Sequence, residues 1–210
     1  MKKTKAFDSF ALEYDEWFES HKIEYEQEIN AIKMLLPAEG HGLEVGAGTG
    51  RFTARLGISL GVEPSQAMRD VADSQNIKLV EGNAESLPCE DGSYDYALLV
   101  TVDCFLDDMQ RAFREVHRVI KPGGSILIGM IDKNSKLGKK YQEQKAKSRF
   151  YKEATFHAID EIQDQLNKAG FNHYEFAQAL LPGDVNEKEQ VMVKPGYGEG
   201  SFVVIRAQKN

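Results

Sequence analysis

Residues 42–65 read Gly42-Leu43-Glu44-Val45-Gly46-Ala47-Gly48-Thr49-Gly50-Arg51-Phe52-Thr53-Ala54-Arg55-Leu56-Gly57-Ile58-Ser59-Leu60-Gly61-Val62-Glu63-Pro64-Ser65. A short apolar strand, Gly42 to Val45, runs directly into three alternating glycines. A brief helix from Arg51 to Leu56 follows, and a second strand, Ile58 to Val62, ends on an acid, Glu63. A glycine loop after a first strand brings backbone N–H groups and a helix N-terminus close to a ligand. The spacing is Gly46-x-Gly48-x-Gly50. A dinucleotide fingerprint needs glycine at position 51, where Arg51 stands, and no Gly-Lys-Ser/Thr follows to make a phosphate loop. Glu63 is placed to accept hydrogen bonds from both hydroxyls of a ribose. The glycines alone also suit a tight turn with no ligand; their conjunction with Glu44 and Glu63 favours a nucleoside-type site.

Outward from this stretch, strand and helix keep alternating. Upstream, Phe18, Tyr25, Ile29, Ile32 and Leu36 recur at helical spacing, so a helix is expected from Asp15 to Leu36, ended by Pro37 and Gly40. Downstream, Ser65 can N-cap a helix to about Asp73, and Ile77 to Val80 reads as a third strand. Tyr94 to Val102 has the near-continuous apolar character of a strand buried on both faces. Asp107 and Asp108 open an amphipathic helix that Lys121-Pro122-Gly123-Gly124 stops, and Ser125 to Ile131 is a fifth strand. A polar helix around Lys136 to Tyr151 and an amphipathic one around Ile159 to Ala169 come next. Two late strands, near Phe171 to Leu180 and Phe202 to Ala207, are joined by a loop from Pro182 to Gly200 and suggest an antiparallel edge. This alternation predicts an α/β fold with a doubly wound, mostly parallel sheet.

The chain of 210 residues suits a single domain, residues 1–210. Hydrophobic residues make up 41% and charged residues 28%, which excludes an intrinsically disordered chain and a multi-spanning membrane protein. The net charge of −7 opposes general binding to a phosphate backbone, so no nucleic-acid partner is expected. Cys89 and Cys104 are too far apart for a Cys-x-x-Cys motif, and two cysteines make a poor secreted framework. The start, Met1 to Phe18, is interrupted by Asp8, Glu13, Asp15 and Glu16 and has no apolar core of a signal peptide. No stretch reaches the roughly 20 apolar residues of a membrane span, so a cytoplasmic protein is expected.

Leu43-Glu44-Val45-Gly46-Ala47-Gly48-Thr49-Gly50 resembles motif I of the class I S-adenosylmethionine (SAM)-dependent methyltransferases. Gly61-Val62-Glu63-Pro64-Ser65 with Met68 is similar to the second-strand signature of that family, and Gly82-Asn83-Ala84-Glu85-Ser86-Leu87-Pro88 to its G-D-A-x-x-L-P segment. Tyr94-Asp95-Tyr96-Ala97 resembles F-D-x-V, and Glu115 to Gly124 resembles E-x-x-R-V-L-K-P-G-G. Phe7-Asp8 through Tyr14-Asp15-Glu16-Trp17-Phe18 looks like the cap opening of the ubiquinone/menaquinone-methyltransferase-like branch (methyltransferase type 11), which acts on small molecules. The resemblance runs in order from residue 7 to about 171. It implies a Rossmann-like sheet of seven strands with an antiparallel last strand. It also implies an N-terminal helical cap over residues 1–37, a helical lid insertion over 132–157, and SAM as cofactor.

The resemblance also implies roles. Glu44 would orient the loop and the methionine amino group. Gly46, Ala47, Gly48 and Gly50 would let the backbone approach the cofactor. Glu63 would hold the ribose, with Pro64 and Met68 beside the adenine. Asn83 stands where the family usually has aspartate, facing the adenine amino group next to Ala84, and loses the charge assistance of a carboxylate. Tyr14 of the cap and Val100 at the end of the fourth strand complete the cofactor set. The segment between Gly50 and Ile58 is shorter than the family usually has.

Methyl transfer from a sulfonium needs alignment and exclusion of water more than proton chemistry. A base is required only where the acceptor is protonated or weakly acidic. No residue stands out as that base, and the five histidines form no metal-ligand pattern. Phe10, Asp103, Cys104 and Phe105 lie on the acceptor side of the family's site, although Asp103 also suits a loop carboxylate and Cys104 a small buried hydrophobe. Tyr14 and Trp17 also fit a helix core. Lys133 to Lys152 carries many lysines and reads either as a solvated helix face or as the lid, with Phe150, Tyr151 and Phe156 offering a flat or apolar surface. The expected activity is methyl transfer to a small-molecule nitrogen, oxygen or carbon; the alternative is a non-catalytic SAM-binding or regulatory protein.

Overall fold

Short loops carry the chain back and forth across one sheet in a computed structural model that describes residues 5–184 and 192–210. Helices α1 (Lys5–Ser9), α2 (Ala11–Ser20) and α3 (Lys22–Leu35) precede β1 (Gly42–Val45). Then come α4 (Arg51–Leu56), β2 (Leu60–Glu63), α5 (Gln66–Ser74), β3 (Leu79–Glu81) and β4 (Tyr94–Val100). A 3-10 turn over Asp103–Phe105 leads to α6 (Met109–Val119), β5 (Ile120–Ile131) and α7 (Lys136–Gln144). The chain closes with α8 (Ile159–Lys168), β6 (Phe171–Leu180), β7 (Met192–Pro195) and β8 (Phe202–Lys209). Local chemistry starts these helices: Ser65 Oγ accepts from Met68 N–H at 3.3 Å, and Asp108 Oδ1 accepts from Arg111 N–H at 2.9 Å.

The sheet order is β3-β2-β1-β4-β5-β8-β6-β7, with β1 to β5 mutually parallel and β8 antiparallel to β5. Strand period two sorts the middle of the sheet into two layers. Ala97, Leu99, Ile126 and Ile128 pack with Phe113, Val116, Ile162 and Leu166 of α6 and α8. Leu98, Val100 and Leu127 face the other way, onto Phe18, Ile29, Ile32 and Phe52 of α2, α3 and α4. Both faces are covered, which is why these strands read as continuous apolar runs.

Three expectations need correction. Among the described residues the sheet has eight strands rather than seven, because Met192–Pro195 pairs antiparallel with β6 inside the stretch read as a loop. Of that stretch, residues 185–191 lie outside the described residues. The antiparallel end of the sheet forms as expected, with Phe202–Lys209 bonding β5 on one side and β6 on the other. The N-terminal helix breaks at His21, whose φ of −121° and ψ of 47° are not helical. Finally, the polar helix ends at Gln144, and Lys145–Lys147 and Tyr151–Glu153 form separate 3-10 turns. Among the described residues no helix is long and apolar enough to cross a membrane.

Candidate active site

In an open α/β sheet a ligand binds beyond the carboxyl ends of the strands, where the order reverses. That point here lies between β1 and β4. A cavity of about 530 Å³ opens there, lined on the sheet side by Gly46, Gly48, Glu63, Pro64, Met68, Ala84 and Val100. Gly46 and Gly48 both need their residue type: φ is +73° and +57°. A Cβ at Gly46 would stand 2.6 Å from Cγ2 of Val102, and one at Gly48 3.3 Å from Cε1 of Tyr14. The backbone therefore comes as close to the cavity as a chain can.

Glu63 ties the loop to β2. Its Oε2 accepts from Gly48 N–H at 2.8 Å and its Oε1 from Ser65 N–H at 2.9 Å. Burial pushes this carboxyl up to about 7, against the pull of those two amides. A carboxylate offers about four lone-pair sites, so two bonds leave room for two hydroxyl donors. Glu44 sits behind the loop, 1% exposed, and accepts from Thr53 Oγ1. Burial raises it to about 8, with the Glu63 charge adding to the effect.

The roof comes from the N-terminal helices. Asp15 on α2, 8% exposed, accepts from Thr49 Oγ1 (2.6 Å), Arg51 Nε (2.8 Å), Arg51 Nη2 (2.6 Å) and Gln75 Nε2 (2.9 Å). Burial opposes its ionisation, yet the hydrogen bonds from Arg51 and Thr49 outweigh that and hold it below its ordinary range. This buried latch fastens α2 to the glycine loop and places Tyr14 over Gly48. Phe7 then bridges three segments, edge-on to Tyr14 and Phe105 with ring centroids at 5.6 and 5.0 Å, and tilted on Phe150 at 5.5 Å. Tyr141 and Tyr151 stack at 4.9 Å and form the far wall.

Eight of the expected cofactor residues, Tyr14, Gly46, Gly48, Glu63, Pro64, Met68, Ala84 and Val100, line this one cavity. Glu44, Ala47, Gly50 and Asn83 support it from outside the lining: Ala47 O accepts from Gly50 N–H within the loop, and Asn83 O from Ser86 N–H in a turn. Of the acceptor-side residues only Phe105 reaches the cavity. Phe10 instead lies under the Arg149 guanidinium at 4.3 Å. Asp103 points into the protein, 4% exposed, bonded to backbone at the start of its own turn, and burial raises it to about 7. Cys104 Sγ faces Thr101 O at 3.5 Å. The 3-10 turn explains this split, since it presents every third side chain outward. Sequence reasoning missed Glu24, Glu28 and His21 on the cap; Lys140, Tyr141 and Gln144, also in the lining, lie on the helix expected as the lid but were not singled out within it. On the cap the one sequence signal was the i, i+4 acidic pair Glu24 and Glu28, which ordinarily marks a solvated face. Among the described residues no group of His, Cys, Asp or Glu is arranged to hold a metal ion.

Residues 43–128 match a family described as a methyltransferase domain. An uncharacterized protein of Methanocaldococcus jannaschii is 42% identical over 203 residues, 97% of this chain and 98% of its own length. The crystal structure of a SAM-dependent methyltransferase of Thermotoga maritima, named a possible histamine N-methyltransferase, matches with a TM-score of 0.92. It is 44% identical and covers 99% of this chain and 100% of that one. A demethylmenaquinone methyltransferase of Staphylococcus aureus is 30% identical over 140 residues, 59% of this chain and 57% of that one.

Proposed function

The chain belongs to the class I SAM-dependent methyltransferases, and on that premise we propose that it methylates a small molecule enclosed between the sheet, the N-terminal cap and residues 136–153. SAM, when bound, supplies an electrophilic methyl on a sulfonium. The observation that carries the reading is the shape of the site. One cavity of about 530 Å³ is continuous from Glu63 at the glycine loop to Tyr141 and Tyr151 at the far wall. Aromatic rings from the cap and from residues 141–151 line it, a size and lining suited to a cofactor with a small acceptor beside it.

In this reading residues 1–37 act as the cap and 132–157 as the lid of a single domain. The backbone of Gly46 to Gly48 lies along the methionine portion, and Glu63 accepts from the ribose hydroxyls through its two unused lone pairs. Pro64, Met68 and Ala84 flank the adenine. Tyr14, fixed by the Asp15 latch, closes over Gly48, and the Phe7, Phe105 and Phe150 rings keep water from the reacting atoms. The chain's own contribution is thus positioning and desolvation. The acidic composition and the use of only two cysteines suit a cytoplasmic enzyme.

The test is methyl transfer from labelled SAM to fractionated extract. Label in the small-molecule fraction, lost in Glu63→Ala, supports the reading. Label found only in protein or nucleic acid refutes it.

A further inference from the structure

Every ionised or polar carboxyl so far has a donor: Glu63 has two amides, Glu44 a hydroxyl and Asp15 four donors. Glu28 of α3 is different. It is 7% exposed and lines the cavity, yet among the described residues no hydrogen-bond donor and no cation within ion-pair distance reaches its carboxyl. A buried carboxylate left without a donor is costly, so an arrangement that retains one points to a partner from outside the chain.

Resting on the small-molecule reading above, we propose that Glu28 receives the ammonium group of the methyl acceptor, so that the acceptor is a small primary or secondary amine.

The groups around Glu28 fit a cation. One turn back on the same helix, Glu24 also lines the cavity and adds a second negative charge. From α2, α7 and the 3-10 turn at 151, Tyr14, Tyr141 and Tyr151 feel the Glu28 charge and are held protonated by burial first and by that charge second or later. Their rings and that of Trp17 line the same cavity, so a cation there would be surrounded by aromatic side chains. Lys140 of α7 lines the cavity too, but makes no ion pair with Glu28 among the described residues. A carboxylate or phosphate acceptor would meet Glu24 and Glu28 with like charge.

The same carboxylate also solves the problem of a nucleophile that arrives protonated. Glu28 takes one proton from the ammonium, which frees the nitrogen lone pair. That lone pair forms the new N–C bond to the methyl while the C–S bond breaks and its electron pair stays on sulfur. The product leaves as an N-methylammonium ion, and the proton on Glu28 passes to solvent. Charge balances: two cations enter, and one cation, one neutral thioether and one proton leave. Burial first, and the Glu24 charge second, raise Glu28 to about 8, nearer than an ordinary carboxyl to the range in which alkylammonium groups give up a proton.

The test uses the full-length protein saturated with S-adenosylhomocysteine. Binding of benzylamine, phenethylamine, tyramine and cadaverine is measured by calorimetry, each against the alcohol of the same carbon skeleton. Wild type should prefer amines over alcohols by about tenfold or more, and Glu28→Gln should erase that preference while holding S-adenosylhomocysteine within about twofold. With labelled SAM, kcat/KM for the bound amine should fall about 100-fold in Glu28→Gln and partly recover in Glu28→Asp. The acid limb of the pH profile, near 8 in wild type, should vanish in Glu28→Gln. No amine preference in the wild type, or a preference that survives Glu28→Gln, overturns the inference. If the wild type methylates alcohols, phenols or carbon acids but no amine, the small-molecule reading stands and the amine assignment falls. Label confined to macromolecules sinks both.

Discussion

The Asp15 latch supports the sharpest prediction. Asp15→Asn keeps size and one acceptor oxygen but turns an N–H₂ toward Arg51 Nη2 and Gln75 Nε2, which now donate to Oδ2 at 2.6 and 2.9 Å. Breaking a buried ion pair from one side costs roughly 3–5 kcal/mol. Arg51 keeps Glu19 at 2.9 Å and its side chain is 21% exposed, so the lower value of about 2–3 kcal/mol is expected here. For a domain of this size that lowers Tm by roughly 5–10 °C. Part of the loss falls on docking of α2, which carries Tyr14 over Gly48, so affinity for S-adenosylhomocysteine should drop by about 10- to 100-fold. Calorimetric titration with amide hydrogen exchange across residues 11–20 reads both effects. Glu19→Gln, which removes only the exposed half of the network, should leave both Tm and affinity essentially unchanged. If Asp15→Asn lowers Tm but leaves affinity within twofold and exchange in α2 unchanged, the latch holds the fold and not the cap, and the reasoning fails.

Other outcomes follow from the same geometry. Glu63→Ala should weaken SAM by about 1.5–3 kcal/mol, because hydrogen bonds to a charged acceptor disappear; titration with NAD as control should show no binding, and undiminished SAM affinity in the variant would refute the ribose role. Gly48→Ala forces a side chain into left-handed backbone 3.3 Å from Tyr14, so a stability loss of about 1–2 kcal/mol and weaker cofactor binding should appear together in denaturation and titration. Phe105→Ala should change turnover or acceptor choice, whereas Asp103→Asn, outside the lining, should act on stability alone; equal kinetic effects would remove that distinction. Burial holds Glu28 and Glu44 near 8 and Glu63 and Asp103 near 7. Their folded-state values lie above the unfolded ones, so between about pH 5 and 8 the folded protein binds more protons. The protein without cofactor should therefore be most stable at the acid end and lose up to about 1.4 kcal/mol per pH unit per group as pH rises. His117, held low by burial, opposes this below about 6.5. Urea midpoints at pH 5.5, 7 and 8 that rise with pH would contradict this account.

The sequence was most legible where chemistry is local. Strand–glycine loop–helix–strand–acid is read within residues 42–65, because the turn demands glycine at Gly46 and Gly48 and the acid must follow the second strand directly. Ser65 and Asp108 announce their helices through bonds to residues three positions on. The alternating layers of β4 and β5 follow from period two. By contrast, β7 was invisible: four residues ending in Pro195 carry little strand signal, and only the exposed edge of β6 makes them a strand. The place of β8 between β5 and β6 is also a tertiary outcome, since pairing partners are set by long-range packing rather than by the strand's own residues.

The site divides along the same line. Glu63 and the glycines were found because their roles depend on neighbours in sequence, whereas Glu28 was passed over as one more acid on a helix rich in them. Its burial arises only when α3 packs on the sheet and α7 closes opposite, bringing Tyr141 to a residue more than a hundred positions earlier. Asp103 shows the converse: a carboxylate just past the fourth strand looks like a site residue, and the phase of a single 3-10 turn sends it inward while Phe105 faces the cavity. Sequence alone therefore determined the α/β alternation and the glycine loop with its acid, because short-range geometry encodes them, and resemblance to a family supplied the cofactor. Which side chains enclose the acceptor was decided by the tertiary structure, because burial and charge at a point depend on every segment that converges there.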